Sequence, residues 1–183
     1  GVMSRGLGDV YKRQSVKELL DENVSDDVPV RIISGNVLTG TKIEADGYMG
    51  FFERQITAIR EGIEPELFGW LIPKPNKFSI SRALPSWFMR QVGEVKYDLD
   101  TNNHGELRAF VVSGEYEKVF PFDIFPVHLL KAILNEDIDA MEKLGLYEVV
   151  EEDFALCEVV CTSKINVQNI VRDGLNLLRS EIG

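Results

Sequence analysis

The sequence predicts an α+β protein in which a β-rich half precedes a helical one. Three observations carry this. Up to Phe125 the apolar residues come in short runs, some alternating with polar ones, cut by Gly, Pro and Asn. After Pro126 they recur at the three- and four-residue spacing of amphipathic helices. Between these patterns lies FPFDIFP, Phe120 to Pro126, whose two prolines close the β-rich part. Strands gathered before helices, not alternating with them, give the α+β class.

Composition narrows the function. With 44% of its 183 residues hydrophobic, the chain has enough apolar material for one or two small cores. Acids outnumber bases 30 to 20, a net charge of -10, which argues against nucleic acid or an anionic lipid face as the main partner. Docking onto a membrane protein stays open, because that depends on local patches. No apolar run approaches the ~18–20 residues of a membrane-spanning helix. Nothing resembles a secretory signal, so the two cysteines are expected to be free thiols in a cytoplasmic setting.

Residues 1–14, GVMSRGLGDVYKRQ, lack periodicity and an initiator methionine. They resemble translated sequencing-adapter read-through and are left out of the fold expectation. Without Arg5, Asp9, Lys12 and Arg13 the balance is 17 bases against 29 acids. On this reading the natural chain begins near Ser15 and is truncated, the missing part lying upstream. Residues 15–125 then form the β-rich region and 126–183 the helical domain.

Taken in order, VKELL (Val16 to Leu20) reads as the tail of a helix, followed by the polar connector DENVSDD. Val28, Val30 and Ile32 alternate with Pro29 and Arg31 as a strand, and Ser34-Gly35-Asn36 make a turn. Val37-Leu38 is expected to restart an extended run that ends at Gly40. The glycines suit a structural turn; a glycine-rich ligand loop is the alternative, although SGNVLTG fits neither the P-loop nor the dinucleotide fingerprint. In YMGFFERQITAIR, Phe52, Ile56 and Ile59 suit a helix, while Ile56 and Ala58 in QITAI suit a strand; the strand is preferred because Gly62 and Pro65 end the run quickly. LFGWLIP (Leu67 to Pro73) and the alternating start of FSISRALPSWF continue the strand pattern. Their Phe68, Trp70, Trp87 and Phe88 are core candidates, with an aromatic ligand slot as the alternative. DLDTNNHGE (Asp98 to Glu106) is a polar loop holding His104. Leu107–Val112 and Tyr116–Phe120 flank Ser113-Gly114-Glu115 as a tight hairpin.

The helical part has clearer punctuation. Pro126 opens a helix through His128–Leu134, at a position where its missing N–H costs nothing. Asp137 caps a second, with Ile138, Met141 and Leu144 on one face and Gly145 as its stop. Glu151, Glu152 and Asp153 open a third, because acids offset the positive end of a helix dipole. Cys157 and Cys161, four residues apart, would then share a face of it. A last helix after Thr162 and Ser163 carries the stripe Val167, Ile170, Val171, Leu175, Leu178, Ile182, with Gly174 as a soft spot.

Chemistry is sparse in these residues. Two thiols on one face can be a metal edge, a redox pair or plain core. Structural zinc takes four ligands and a four-iron cluster four thiolates, whereas C-x3-C supplies two. A disulfide within that helix would be strained. Buried free thiols are the reading kept, with a redox or shared-metal edge as the alternative. His104 and His128 lie in a loop and on an apolar helix, with nothing to mark a nucleophile. No residue is assigned a catalytic, cofactor-binding or metal-binding role. The acid run is a solvated helix start that, with the β-rich half, is expected to serve contacts with other proteins.

Five collinear blocks carry a resemblance: RIISGNVLTG, QITAIREG, ELFGWLIPKPNKFSISR, YEKVFPFDIFPVHLL and EEDFALCEVVC. In this order they resemble the A-subunit family of Na+-translocating NADH:quinone oxidoreductases, over Ser15 to Gly183 and toward that family's carboxy terminus. The resemblance implies a soluble-ligand-binding β-grasp (SLBB-like) module followed by a small helical bundle. The related Rnf-type protein bears four-cysteine iron–sulfur motifs on such a bundle; here only Cys157 and Cys161 stand in a comparable place. A cluster-domain shape without its metal is implied.

The resemblance further implies a peripheral subunit on the cytoplasmic face of the bacterial inner membrane. Its complex would pass electrons from NADH to ubiquinone and export Na+. FAD, FMN, riboflavin, the iron–sulfur centre and the NADH site would lie on other subunits or in missing regions, leaving no cofactor in this chain. The other subunits would be its partners. Ubiquinone is a further candidate partner, with no motif here to hold it, and the fragment alone is expected to have no turnover. The alternatives are a stand-alone β-grasp ligand-binding protein, or a small redox protein using Cys157 and Cys161.

Overall fold

The computed structural model describes residues 3–6, 15–21, 24, 29–62, 78, 97, 99–103 and 105–182. The chain divides into two compact units, Gly1–His104 and Gly105–Gly183. The expected strands at 67–73 and from 79 onward, the aromatic set Phe68, Trp70, Trp87 and Phe88, and His104 lie outside the described residues.

In the first unit, strands β1 (Met3–Gly6), β2 (Val30–Ser34), β3 (Thr41–Ile43) and β4 (Gln55–Arg60) form one antiparallel sheet in the order β1-β4-β2-β3. Residues 3–6, left out of the fold on sequence grounds, thus pair with β4, Met3 opposite Ala58. Register in the middle sets Ile32 opposite both Ala58 and Ile43. Successive residues of a strand point to opposite faces, so three buried in a row, Thr57, Ala58 and Ile59, mean that both faces of β4 are covered. That explains why QITAI lacks clean alternation. The buried Thr57 hydroxyl donates to Gly35 O at 2.7 Å, which removes the cost of burying it.

Helix α1 (Val16–Asp21) joins this unit through the fully buried Val16, whose N–H donates to Gly47 O at 3.1 Å. The far end of β4 is tied by a fork: Arg31 Nε donates to Glu61 Oε2 at 3.1 Å, and Arg31 Nη2 contacts Glu61 Oε1. Thr101 extends it, donating to Glu61 Oε1 at 3.1 Å and accepting Gly62 N–H at 2.9 Å.

One strand starts later than expected. Residues 37–39 belong to the turn and β3 opens at Thr41. The cause is Asn36, whose Oδ1 accepts from Leu38 N at 2.7 Å and Thr39 N at 2.9 Å, holding both amides away from a ladder.

The second unit holds the helices α2 (Pro126–Leu134), α3 (Ile138–Lys143), α4 (Ala155–Val160) and α5 (Val167–Ile182), with 3₁₀ turns at Leu146–Glu148 and Glu151–Phe154. Helix α2 is buried along most of its length, including Val127, Leu129, Leu130 and Ile133, and packs against α3 and α5. Each such side chain contributes about 1.5–3 kcal/mol on burial. Asp137 caps α3, accepting from Ala140 N at 3.0 Å, and Gly145 ends it with a left-handed φ of 86°. Helix α5 buries Val167, Val171 and Leu178. Its start is at Asn166, whose Oδ1 accepts from Asn169 N at 3.3 Å.

The second compact unit spans Gly105–Gly183, and within it residues 105–125 pack onto the helices through the buried Tyr116 and the partly buried Phe110, Phe120 and Ile124. Two expectations change here. The expected hairpin across Ser113–Glu115 does not form. Val119 N and Phe120 N both donate to Tyr116 O, at 3.0 and 2.9 Å, folding that flank into a turn. The other flank binds elsewhere: Arg108 N donates to Ser163 O, and Ser163 Oγ to Ala109 O, each at 2.9 Å. Nor is Gly174 a soft spot. A Cβ there would lie 2.9 Å from Ile133 Cγ1, so glycine is what lets α5 lie against α2.

Candidate functional site

The two cysteines come together with Tyr116 inside the second unit. Phe154, Ala155 and Cys157 face inward from the start of α4, and Cys161 closes the helix with an extended ψ of 112°. Cys157 is therefore helical and Cys161 is not, yet both are free and buried in one core with Tyr116 and Phe154. Lys164, at φ 55°, turns the chain back so that Ile165 N–H points to Cys161 Sγ at 3.5 Å. From the other side the Tyr116 hydroxyl donates to the same sulfur at 2.9 Å.

Electrostatics here disfavour the reactive form. Burial pushes the Cys157 thiol up to about 12, with Glu117, Cys161 and Glu158 adding to the shift. Tyr116 is raised too, first by burial and then by its bond to Cys161. Nucleophiles and metal ligands need the thiolate. Cys157 instead acts as a small core group, and the buried Cys161 sulfur accepts two hydrogen bonds. Among the described residues no group of three or more His, Cys, Asp and Glu converges as metal ligands do. His128 is exposed, edge-on to Phe125 at 5.8 Å.

The acid run separates into three tasks. Glu151 takes Arg172 in a fork, with Nε at 2.9 Å and Nη2 at 2.6 Å, and that guanidinium holds its carboxyl below the usual range. Asp153 reaches back to accept Val150 N–H at 2.9 Å, capping the 3₁₀ turn. Glu152 is exposed and makes no ion pair among the described residues. A fourth acid, Glu158, accepts Gln168 N at 2.8 Å and Gln168 Nε2 at 3.1 Å, satisfying part of the start of α5.

In the first unit four amides of the Ser34–Gly40 loop are already bonded within the protein. Gly35 N donates to Gln55 O, Gly40 N to Asn36 O, and Leu38 N and Thr39 N to the Asn36 side chain. Those four donors are not free to cradle an anion, which favours the structural-turn reading. Ser34 Oγ accepts Gly50 N at 2.8 Å, bringing the next turn alongside. That turn carries Tyr48, Phe51 and Phe52 at 64%, 77% and 90% exposure, with the two Phe rings edge to face at 5.1 Å. Exposed aromatics of this size are unusual on a free surface.

Sequence reasoning missed Tyr116, because it reads as one residue of a strand, and the one hint is an aromatic placed beside turn residues. Glu158 and Gln168 carry no local signal at all. Among the described residues no helix is long and apolar enough to cross a membrane.

Known proteins share much of this sequence. Residues 14–45 match the family model of the NQRA C-terminal domain, of SLBB type. The chain is 43% identical over 152 residues to the A subunit of the Na(+)-translocating NADH-quinone reductase of Yersinia pestis bv. Antiqua (strain Angola), covering 82% of this chain and 33% of that protein. The corresponding A subunits of Shewanella frigidimarina (strain NCIMB 400) and Vibrio vulnificus (strain YJ016) are 40% and 39% identical over 88% and 91% of this chain, and 35% and 37% of theirs. The chain thus spans about a third of the length of the curated relatives it matches. The β-rich unit followed by a helical one is the α+β order expected for an SLBB module and a bundle. Over the span they share, this chain matches the carboxy-terminal part of the A subunits of Na(+)-translocating NADH-quinone reductases.

Proposed function

We propose that this chain works as part of the A subunit in a Na+-translocating NADH:quinone reductase. It is a peripheral part on the cytoplasmic face of the inner membrane, with the other subunits as its partners and no turnover of its own. The observation that carries this is the 43% identity over 152 residues to a protein of that name. The site geometry supports a scaffolding part in it. Both thiols, Tyr116, Glu151 and Asp153 are engaged in holding the helical unit together. NADH, the flavins, the iron–sulfur centre and ubiquinone are then handled by other subunits or by other parts of this one. Contacts fall to exposed groups left over, among them the Glu152 carboxylate.

The test is to tag the complete gene product that contains this chain, extract source membranes in mild detergent, and assay the eluate for flavin, iron and Na+-stimulated NADH:quinone activity. All three travelling with the tag supports the reading; a colourless protein that never leaves the soluble fraction overturns it in favour of a separate ligand-binding protein. Charge reversal at Glu152 is expected to lower the yield of co-purified subunits several-fold without changing the thermal midpoint of the tagged protein. An unchanged yield would remove Glu152 from the contact.

A further inference from the structure

We draw no further inference here: the strongest candidate, the exposed aromatic turn of Tyr48, Phe51 and Phe52 beside the Ser34–Gly40 loop, is an unpartnered apolar surface, and nothing in the structure shows what covers it.

Discussion

Cys161 Sγ sits where three stretches of chain meet: the end of α4, the Tyr116 turn and the segment entering α5. Cys157, buried in the same core, is kept neutral by that burial, with Glu117 and Glu158 adding to the shift. Native protein at pH 8 is therefore expected to leave both thiols unmodified by a disulfide reagent for as long as it stays folded, and to release two per chain in denaturant. Fast labelling of the folded protein would sink the structural reading. The sign with pH follows from the raised Cys157 value: the buried neutral thiol's contribution to stability is whole below its ordinary 9.0 and is lost as pH rises through about 12. Urea midpoints measured across that window are expected to fall. Glu151 has the opposite sign. Arg172 depresses its carboxyl, so its contribution is present above 4.5 and is lost as pH falls through the depressed value. Because the pair is partly exposed, Glu151→Gln is expected to cost less than about 1 kcal/mol at pH 7, and the gap to wild type should close in acid.

Among the elements, the α2–α5 contact depends most on one residue. At an exposed helix position Gly→Ala gains up to about 1 kcal/mol in helix propensity. At Gly174 the added methyl meets Ile133 Cγ1 and Cγ2, each at 2.9 Å, on a helix with no room to retreat. Overpacking of this kind costs about 1–3 kcal/mol, so Gly174→Ala is expected to be destabilising overall. Pairing it with Ile133→Ala, which removes both γ carbons, tests the cause: the double mutant should lose less than the sum of the two single changes in a denaturation cycle. Strict additivity of the two changes would show that the clash is not what is being measured. The neighbouring elements rest on local signals instead. Pro126, Asp137 and Gly145 start and stop their helices as their backbone chemistry dictates, which is why the sequence located α2 and α3 well. It located α5 less well, because Asn166 takes the cap while Thr162 and Ser163 lie in the preceding turn.

At the scale of the molecule, residues 105–183 form one unit with its own core running from Tyr116 to Leu178. Expressed alone, this fragment is expected to unfold cooperatively, with both thiols protected, at the stability of a few kcal/mol usual for so small a core. A fragment starting at 126 lacks Tyr116, and with it the donor to Cys161, so it should unfold less cooperatively and expose its thiols. Equal behaviour of the two fragments would return the boundary to the proline-rich FPFDIFP segment. The acidic balance, 30 acids to 20 bases, belongs to this scale too, and by itself it chooses no protein partner.

Legible in the residues alone are the order of strands before helices, the caps and breaks of α2 and α3, the strand character of QITAIR, and the five blocks of family resemblance. The structural features among these depend on residues within a turn or two of one another. Which partner each side chain found is a matter of tertiary packing. Tyr116 meets Cys161 across 45 positions, Ser163 meets Ala109 across 54, and Arg172 claims Glu151 across 21, leaving Glu152 exposed. The same long-range packing drew 105–125 into the helical unit and turned Gly174 from a weak point into a contact. One cause is common to all of them. Local propensity sets where a segment starts and ends, but burial and hydrogen-bond satisfaction are settled only when segments distant in sequence close on one another.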